Sequence, residues 1–339
     1  MQLLRKIAFP ISLIYALVVY LRNICYDTGI FKSTSFKTPT VCVGNLSVGG
    51  TGKTPMIEYI LQLVKDNYKT AVLSRGYRRK TKGFLLANEL SKVEELGDEP
   101  YQIYSKFKEV ALAVDGNRRN GIKNLENKVN PDLILLDDAF QHRKVKPSLS
   151  ILLTTYSNLY VKDWYLPTGD LRDSKKEAKR AAIIAVTKCP VDITETQKQN
   201  IIQSIDPMEH QKVLFSKLVY NDCLVGLEGE MMLSELKEKH FSLVTAIANP
   251  KPLIAYLESS VNSFEHFEYT DHHFFNENDI ARFSKNEFIV TTEKDFTKLK
   301  GRGCKNLFYL VVKHEFFDDG RETIAEAIKN SILNSQPFS

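Results

Sequence analysis

The stretch that most restricts how this chain can fold reads Val41-Cys42-Val43-Gly44-Asn45-Leu46-Ser47-Val48-Gly49-Gly50-Thr51-Gly52-Lys53-Thr54-Pro55. A short apolar run enters a glycine-rich turn, and a helical pattern leaves it. This is the context a phosphate-binding loop requires. Glycines let backbone N–H groups crowd round an anion, and the helix N-terminus adds partial positive charge. On this reading Ser47, Val48, Gly49, Gly50, Thr51, Gly52, Lys53 and Thr54 cradle a nucleoside triphosphate. Lys53 bridges the β- and γ-phosphates, and the Thr54 hydroxyl ligates Mg²⁺. The strict pattern has glycine where this chain has Ser47, but Gly49, Gly50 and Gly52 remain.

A loop of this kind needs a parallel sheet behind it, and the chain supplies one. Runs rich in Val, Ile and Leu at 40–43, 70–73, 110–114, 133–136, 150–153 and 182–186 are short and continuously apolar. Strands buried on both faces read this way. Helical stretches such as 55–65 and 101–107 separate them, which predicts an α/β/α sandwich with a mostly parallel sheet. A second set follows: an extended run at 213–220 entering the turn-rich Asn221-Asp222, strands at 241–247, 288–291 and 307–312, a helix at 253–257 and a closing helix at 322–333. The expected organisation is an apolar segment over 1–32, a phosphate-loop core over 33–211, and extended linkers with a smaller α/β lobe over 212–339.

Composition narrows the class. The 339 residues are 43% hydrophobic and 26% charged, enough for about two domains and unlike a disordered or multi-span chain. Lys and Arg exceed Asp and Glu by only 46 to 41. That excess is too mild for a dedicated nucleic-acid binder, yet it suits an anionic ligand or membrane surface. Five scattered cysteines without a C-x-x-C pair point to a reducing compartment. No obligatory protein partner is readable.

Residues 7–21 carry no charge and are flanked by Arg5, Lys6 and Arg22. As a helix they cover roughly 22 Å, short of a hydrocarbon core about 30 Å thick. Three arrangements stay open: a helix lying in a membrane leaflet, a helix packed on the main body, and a span of a thin bilayer. No small-residue cleavage site follows, as a removed signal peptide would need.

The run Leu133-Ile134-Leu135-Leu136-Asp137-Asp138 ends in two carboxylates, which suit Mg²⁺ and its waters at a strand tip. A GTPase would place Asn-Lys-x-Asp after a strand, whereas this chain has Thr187-Lys188-Cys189-Pro190. A deviant partitioning ATPase would have Lys where Val48 stands. These two absences push toward a small-molecule kinase.

Seven ordered blocks then resemble the tetraacyldisaccharide 4'-kinase family. They are residues 44–55, Leu73-Ser74-Arg75-Gly76-Tyr77, Gly97-Asp98-Glu99-Pro100, Asp137-Asp138-Ala139-Phe140-Gln141-His142-Arg143, Leu166-Pro167-Thr168-Gly169-Asp170-Leu171-Arg172, Asp271-His272-His273-Phe274 and Thr292-Glu293-Lys294-Asp295. The resemblance implies ATP-dependent phosphorylation of the 4'-hydroxyl of an acylated glucosamine disaccharide 1-phosphate, carrying it to lipid IVA. It also implies work at the cytoplasmic leaflet of the inner membrane, as a peripheral or monotopic enzyme. Two α/β/α lobes joined by a two-stranded linker are expected to hold nucleotide and sugar between them.

By the same resemblance Asp98 is the catalytic base and His272, from the other lobe, its partner. The residues alone favour a helix-start or turn aspartate and a loop histidine with no task. Gln141 and His142 are expected in the pocket, Arg172 on a phosphate oxygen, and Tyr77 on sugar or phosphate. The family commonly has Glu near the metal where this chain has Asp173, one methylene shorter. The basic clusters 75–82 and 172–180 are either solvated faces or seats for the 1-phosphate and anionic headgroups. The competing hypothesis is a membrane-tethered P-loop ATPase switch regulating a partner protein; Val48 and the Asp98/His272 pair count against it.

Overall fold

The computed structural model describes residue 5, residues 7–227 and residues 229–335. Lys6, one of the expected basic flanks, and the ends of the expected 1–32 and 212–339 segments therefore lie outside the described residues.

The chain opens with α1 (Phe9–Asp27), which has Pro10 in its first turn, where a missing N–H costs nothing. Alternating elements follow: β1 (Thr40–Asn45), α2 (Lys53–Val64), β2 (Thr70–Ser74), β3 (Leu85–Leu86), α3 (Val93–Leu96), α4 (Asp98–Lys106), β4 (Ala111–Val114), α5 (Arg118–Lys128), β5 (Leu133–Asp137), β6 (Leu149–Thr155), β7 (Ile183–Thr187) and α6 (Glu195–Ile205). Strands β4, β2, β5, β1, β6 and β7 lie side by side and parallel. The apolar runs behave as their composition demands. Val41 and Val43 face a core shared with Ile57, Ile60 and Leu61 of α2, while Cys42 faces the opposite core with Leu136 and Leu152. Each fully buried Val, Leu or Ile contributes about 1.5–3 kcal/mol, so this sheet with helices on both faces is the rigid part of the molecule.

The second set comprises β8 (Lys212–Gly226), β9 (Glu230–Met232), β10 (Phe241–Thr245), α7 (Lys251–Ser260), β11 (Phe264–Glu268), α8 (Glu277–Phe283), β12 (Ile289–Thr292), α9 (Glu293–Leu299), β13 (Leu307–Phe316) and α10 (Gly320–Leu333). Here β11, β10, β12 and β13 are parallel neighbours over their own apolar cores. The two bodies meet through β8. Its first residues pair parallel with β7, and from Ser216 onward it runs antiparallel to β13. Among the described residues the strands thus form a single sheet joined by the two-stranded β8–β13 linker.

Two expectations are corrected. Asn221-Asp222 is not a strand-ending turn. Strand β8 continues to Gly226, and the register against β13 shifts between Leu310 and Val312, so the pair is absorbed as a bulge. The closing helix α10 returns to the larger body, where Ile324, Ile328 and Ile332 at i, i+4 and i+8 join the core of α2.

Candidate active site

Strands β1, β2 and β5 all end at the same edge, the carboxyl end of a parallel sheet, where open α/β folds bind ligands. Their last residues, Asn45, Ser74 and Asp137, build the floor of the site. Buried Asn45 is its hub. Its amide donates to the Ser47 carbonyl at 2.6 Å, and its Oδ1 accepts from Lys53 Nζ at 3.3 Å and from Arg172.

The loop after β1 is braced from three sides. Ser47 Oγ donates to Asp163 Oδ2 at 2.6 Å, and the Val48 N–H donates to the Asp170 carbonyl at 2.7 Å. Thr187 Oγ1 donates to the Thr51 carbonyl at 2.8 Å, and His314 of β13 reaches the Gly52 carbonyl at 2.9 Å. Gly52 has φ +87°, and a Cβ there would meet His314 Nε2 at 2.9 Å, so only glycine fits. A carbonyl oxygen has no proton to give, so His314 Nε2 carries one, and Nδ1 is left to accept from Ser216 at 3.0 Å. Burial pushes His314 down to about 4, which keeps the ring neutral.

Asp137 and Asp138 follow β5. Ser74 Oγ donates to Asp137 Oδ2 at 2.8 Å, and buried Arg118 donates to the Asp137 carbonyl at 3.1 Å. Burial and the adjacent Asp138 push the Asp137 carboxyl up to about 6. Asp138 has φ +47° and a different balance. Burial raises its carboxyl, but Lys53, 3.9 Å away, and the paired guanidinium of Arg172 outweigh it and leave it below the ordinary value. A buried carboxylate destabilised as an anion, with an Oδ1 that has no protein partner among the described residues, fits a hard divalent cation. Thr54, one residue beyond Lys53, offers a further oxygen.

Across the cleft, Asp98 opens α4 behind Gly97, whose φ is +92°. A Cβ on Gly97 would lie 2.9 Å from the Tyr77 carbonyl, so glycine lets the turn after β2 pack directly against the start of α4. Asp98 makes no capping bond. His272 Nδ1 instead lies 2.9 Å from Asp98 Oδ2, and Lys298 Nζ lies 3.0 Å from the same oxygen. Burial raises the Asp98 carboxyl, but His272, Lys298 and Lys294 together outweigh it and hold it below the ordinary carboxylate range. Oδ1 has no protein partner among the described residues. His272 adopts φ +64°, an uncommon conformation for a side chain of its size. The Tyr77 ring meets its edge at 5.7 Å.

The structure therefore brings together Asp98, His272 and Tyr77 on one side, and Lys53, Asp137, Asp138 and Arg172 on the other. Gln141 donates to the Asn45 carbonyl at 2.6 Å and supports the floor. Burial, with Arg118 and Lys144 nearby, pushes His142 down to about 4, and its buried Nε2 has no partner among the described residues. Asp173 is not brought to the pocket. It is fully buried beneath α1, accepting from Asn23 Nδ2 at 2.8 Å, Arg22 at 3.3 Å and the Ser174 N–H at 2.8 Å. The shorter aspartate serves helix docking there. Most of the cluster 75–82 lines a cavity of ≈ 440 Å³, where Arg75, Tyr77, Arg78, Arg79 and Lys82 face a single carboxylate, Asp115.

Sequence reasoning missed Asn45 and Ser74 as floor residues, Arg118 and His314 as braces, and Lys298. It also missed Lys188, whose Nζ would lie 3.8 Å from a Cβ on Gly50. Asn45, Ser74 and Lys188 stand at strand ends, a position that could have marked them. No local pattern marks His314 or Lys298.

A family model described as LpxK, tetraacyldisaccharide-1-P 4'-kinase, matches residues 4–332. The tetraacyldisaccharide 4'-kinase of Flavobacterium johnsoniae is 45% identical, covering 94% of this chain and 94% of its own length. That of Bacteroides thetaiotaomicron is 44% identical, covering 87% and 83%. A crystal structure of LpxK from Aquifex aeolicus in complex with ATP matches with a TM-score of 0.80 at 30% identity, over 97% of this chain and 99% of that one.

Proposed function

This chain belongs to the tetraacyldisaccharide-1-P 4'-kinase family, and from that premise we propose how its own residues carry the reaction. The chemistry is ATP-dependent phosphorylation of the lipid A precursor at its 4'-hydroxyl. We assign triphosphate binding to the 47–54 loop with Lys53, and the base to Asp98. The observation that carries this is the Asp98–His272 contact at 2.9 Å, made between the two bodies beside the Asp137–Asp138 edge.

A sugar hydroxyl is a weak nucleophile until its proton has somewhere to go. Asp98 is ionised at neutral pH, and His272 and Lys298 occupy its Oδ2. Oδ1 takes the 4'-hydroxyl proton as the sugar oxygen bonds to the γ-phosphorus. The bond from that phosphorus to the bridging oxygen breaks, and ADP leaves with the electron pair. Lys53 neutralises charge on the transferring phosphoryl group. Arg172 holds Asp138 in place and brings a second cation to the same edge. Mg²⁺, held by Thr54 and Asp137 with Asp138 beside them, would supply charge neutralisation of the phosphates. Asp137 is the better direct ligand, because Asp138 is committed to Arg172 and Lys53.

The disaccharide headgroup, with its 1-phosphate, is assigned to the basic cavity around Arg75–Lys82. It opens beside Tyr77 and hence beside the base. The acyl chains are assigned to α1. Its polar side is tied down by Ser12 to Thr168 at 2.7 Å, Tyr15 to the Arg172 carbonyl at 3.0 Å, and Asn23 to Asp173. Ile11, Ile14, Leu17, Val18 and Leu21 face outward. A helix of 19 residues is long enough to cross a bilayer, but these ties run along it and would drag residues 168–173 into hydrocarbon. A helix lying in the leaflet satisfies both its faces, and we place it on the cytoplasmic side, where ATP is available. The division at 33–211 and 212–339 is proposed as two bodies closing on the cleft, with α10 counted with the first.

The test is transfer of label from γ-labelled ATP to tetraacyldisaccharide 1-phosphate. Labelled lipid from the wild type and almost none from Asp98→Asn, with ATP still bound, supports the assignment. ATP hydrolysis without lipid labelling in the wild type refutes it.

A further inference from the structure

Helix α9 carries Lys294 and Lys298 four residues apart, on one helical face, and both reach the Asp98–His272 pair. Lys294 Nζ lies 3.1 Å from Asp271 Oδ1, 3.2 Å from His272 Nε2 and 3.5 Å from Glu99 Oε1. Lys298 Nζ lies 3.0 Å from Asp98 Oδ2, 3.5 Å from Asp295 Oδ1 and 3.4 Å from the His273 carbonyl. An ammonium has three donors and no lone pair, so Lys294 can only donate to His272 Nε2 and Asp271 Oδ1, with Glu99 as a nearby counter-charge. His272 Nε2 is then the bare nitrogen, because a proton there would point at an ammonium. The ring proton sits on Nδ1 and is donated to Asp98 Oδ2.

We propose that Lys294 and Lys298 are positioning residues that lock the pair in one state, with Asp98 as an anion and His272 as a neutral imidazole protonated on Nδ1. The proposal rests on the assignment of Asp98 as the base. Lys298, almost wholly buried, offsets the cost of keeping a carboxylate out of water. Lys294 opposes protonation of Nε2, so His272 orients Asp98 and takes no proton from the sugar. The proton stays on Asp98 while the sugar–phosphorus bond forms. The charged groups facing the pair are these two lysines and Asp295 from α9, Glu99 from α4, and Asp271 from the loop after β11; the Tyr77 ring covers the remaining edge of His272. Asp295 anchors the arrangement. It is fully buried, accepts from the Ala246 N–H at 2.8 Å and from Thr292 Oγ1 at 2.7 Å, and so fixes the start of α9 against the end of β10.

Long-range ¹H–¹⁵N spectra of the full chain in detergent micelles, with His272 assigned through His272→Gln, read the tautomer without substrate. The expected wild-type spectrum at pH 7 is a neutral ring protonated on Nδ1. Lys294→Met should lift the tautomer bias, so that the Nε2-protonated ring appears beside the Nδ1 form. In the kcat/KM–pH profile, Lys298→Met should move the acid limb up by about one pH unit, and Lys298→Arg should return it toward the wild type. A wild-type His272 that is an imidazolium or carries its proton on Nε2 overturns the proposal. So does an unmoved acid limb in a folded Lys298→Met protein. Should Lys298→Met fail to fold, the wild-type and Lys294→Met spectra decide. Full activity in Asp98→Asn alongside the Nδ1 tautomer would refute the base assignment and leave the lock standing.

Discussion

At the scale of single residues, the proposed chemistry rests on Asp98 and the geometry of the loop on Gly52. Asp98→Ala is expected to lower kcat by about 10²–10⁴-fold while leaving the ATP dissociation constant near the wild-type value, as steady-state kinetics and titration calorimetry would show. Gly52→Ala acts differently. Its Cβ would meet His314 Nε2 at 2.9 Å in a left-handed conformation that costs about 1–2 kcal/mol without glycine, so ATP binding should weaken, and calorimetry would report it directly. Both residues were legible in the sequence, Gly52 from the loop pattern and Asp98 from a resemblance. Asn45, Ser74 and His314 were not. Their roles exist only once distant strands end side by side or a linker strand crosses the loop, and no local spacing encodes that.

Among the elements, α1 has two faces with separate tasks. Its outward face should govern membrane association. Leu17→Glu combined with Leu21→Glu is expected to shift the protein from the membrane to the soluble fraction without changing its melting temperature. Its inward face should govern stability. Asn23→Leu removes one of the three donors to buried Asp173 and is expected to cost about 1–3 kcal/mol, measured by thermal or denaturant unfolding. The six parallel strands of the larger body were readable because burial on both faces leaves continuous apolar runs, whereas the short, half-buried β3 was not. The first half of β8 was readable as well, but its continuation past Tyr220 was not, because Asn221 and Asp222 carry turn chemistry that a bulge and the Tyr256 hydroxyl, 2.6 Å from Asp222, redirect. The apolar stripe of α1 was visible as composition. That its polar side docks on residues 163–173, the same segment that braces Ser47 and Val48, required the fold.

In the whole molecule, a buried ion triad ties the two bodies together near the site. Lys106 at the end of α4 lies 2.5 Å from Glu58 of α2 and 3.1 Å from Glu293 at the start of α9. Two carboxylates share one lysine, and burial, reinforced by Glu58, pushes Glu293 up to about 7 from 4.5. A folded-state value above the unfolded one means that the stability is fully present below about 4.5 and is lost as pH rises through about 7. Glu293→Gln keeps the Lys106–Glu58 pair and removes the surplus charge. It should therefore raise the melting temperature relative to the wild type at pH 8.5 and change it little at pH 5. The same triad holds α9, and with it Lys294 and Lys298, against α4 and Asp98. The most direct measurement is a crystal structure of the full chain with a non-hydrolysable ATP analogue, Mg²⁺ and tetraacyldisaccharide 1-phosphate. The β- and γ-phosphates are expected on the backbone amides of residues 49–54, with the sugar 4'-oxygen within hydrogen-bonding reach of Asp98 Oδ1. A triphosphate seated away from that loop, or a 4'-oxygen out of reach of Asp98, would contradict that arrangement.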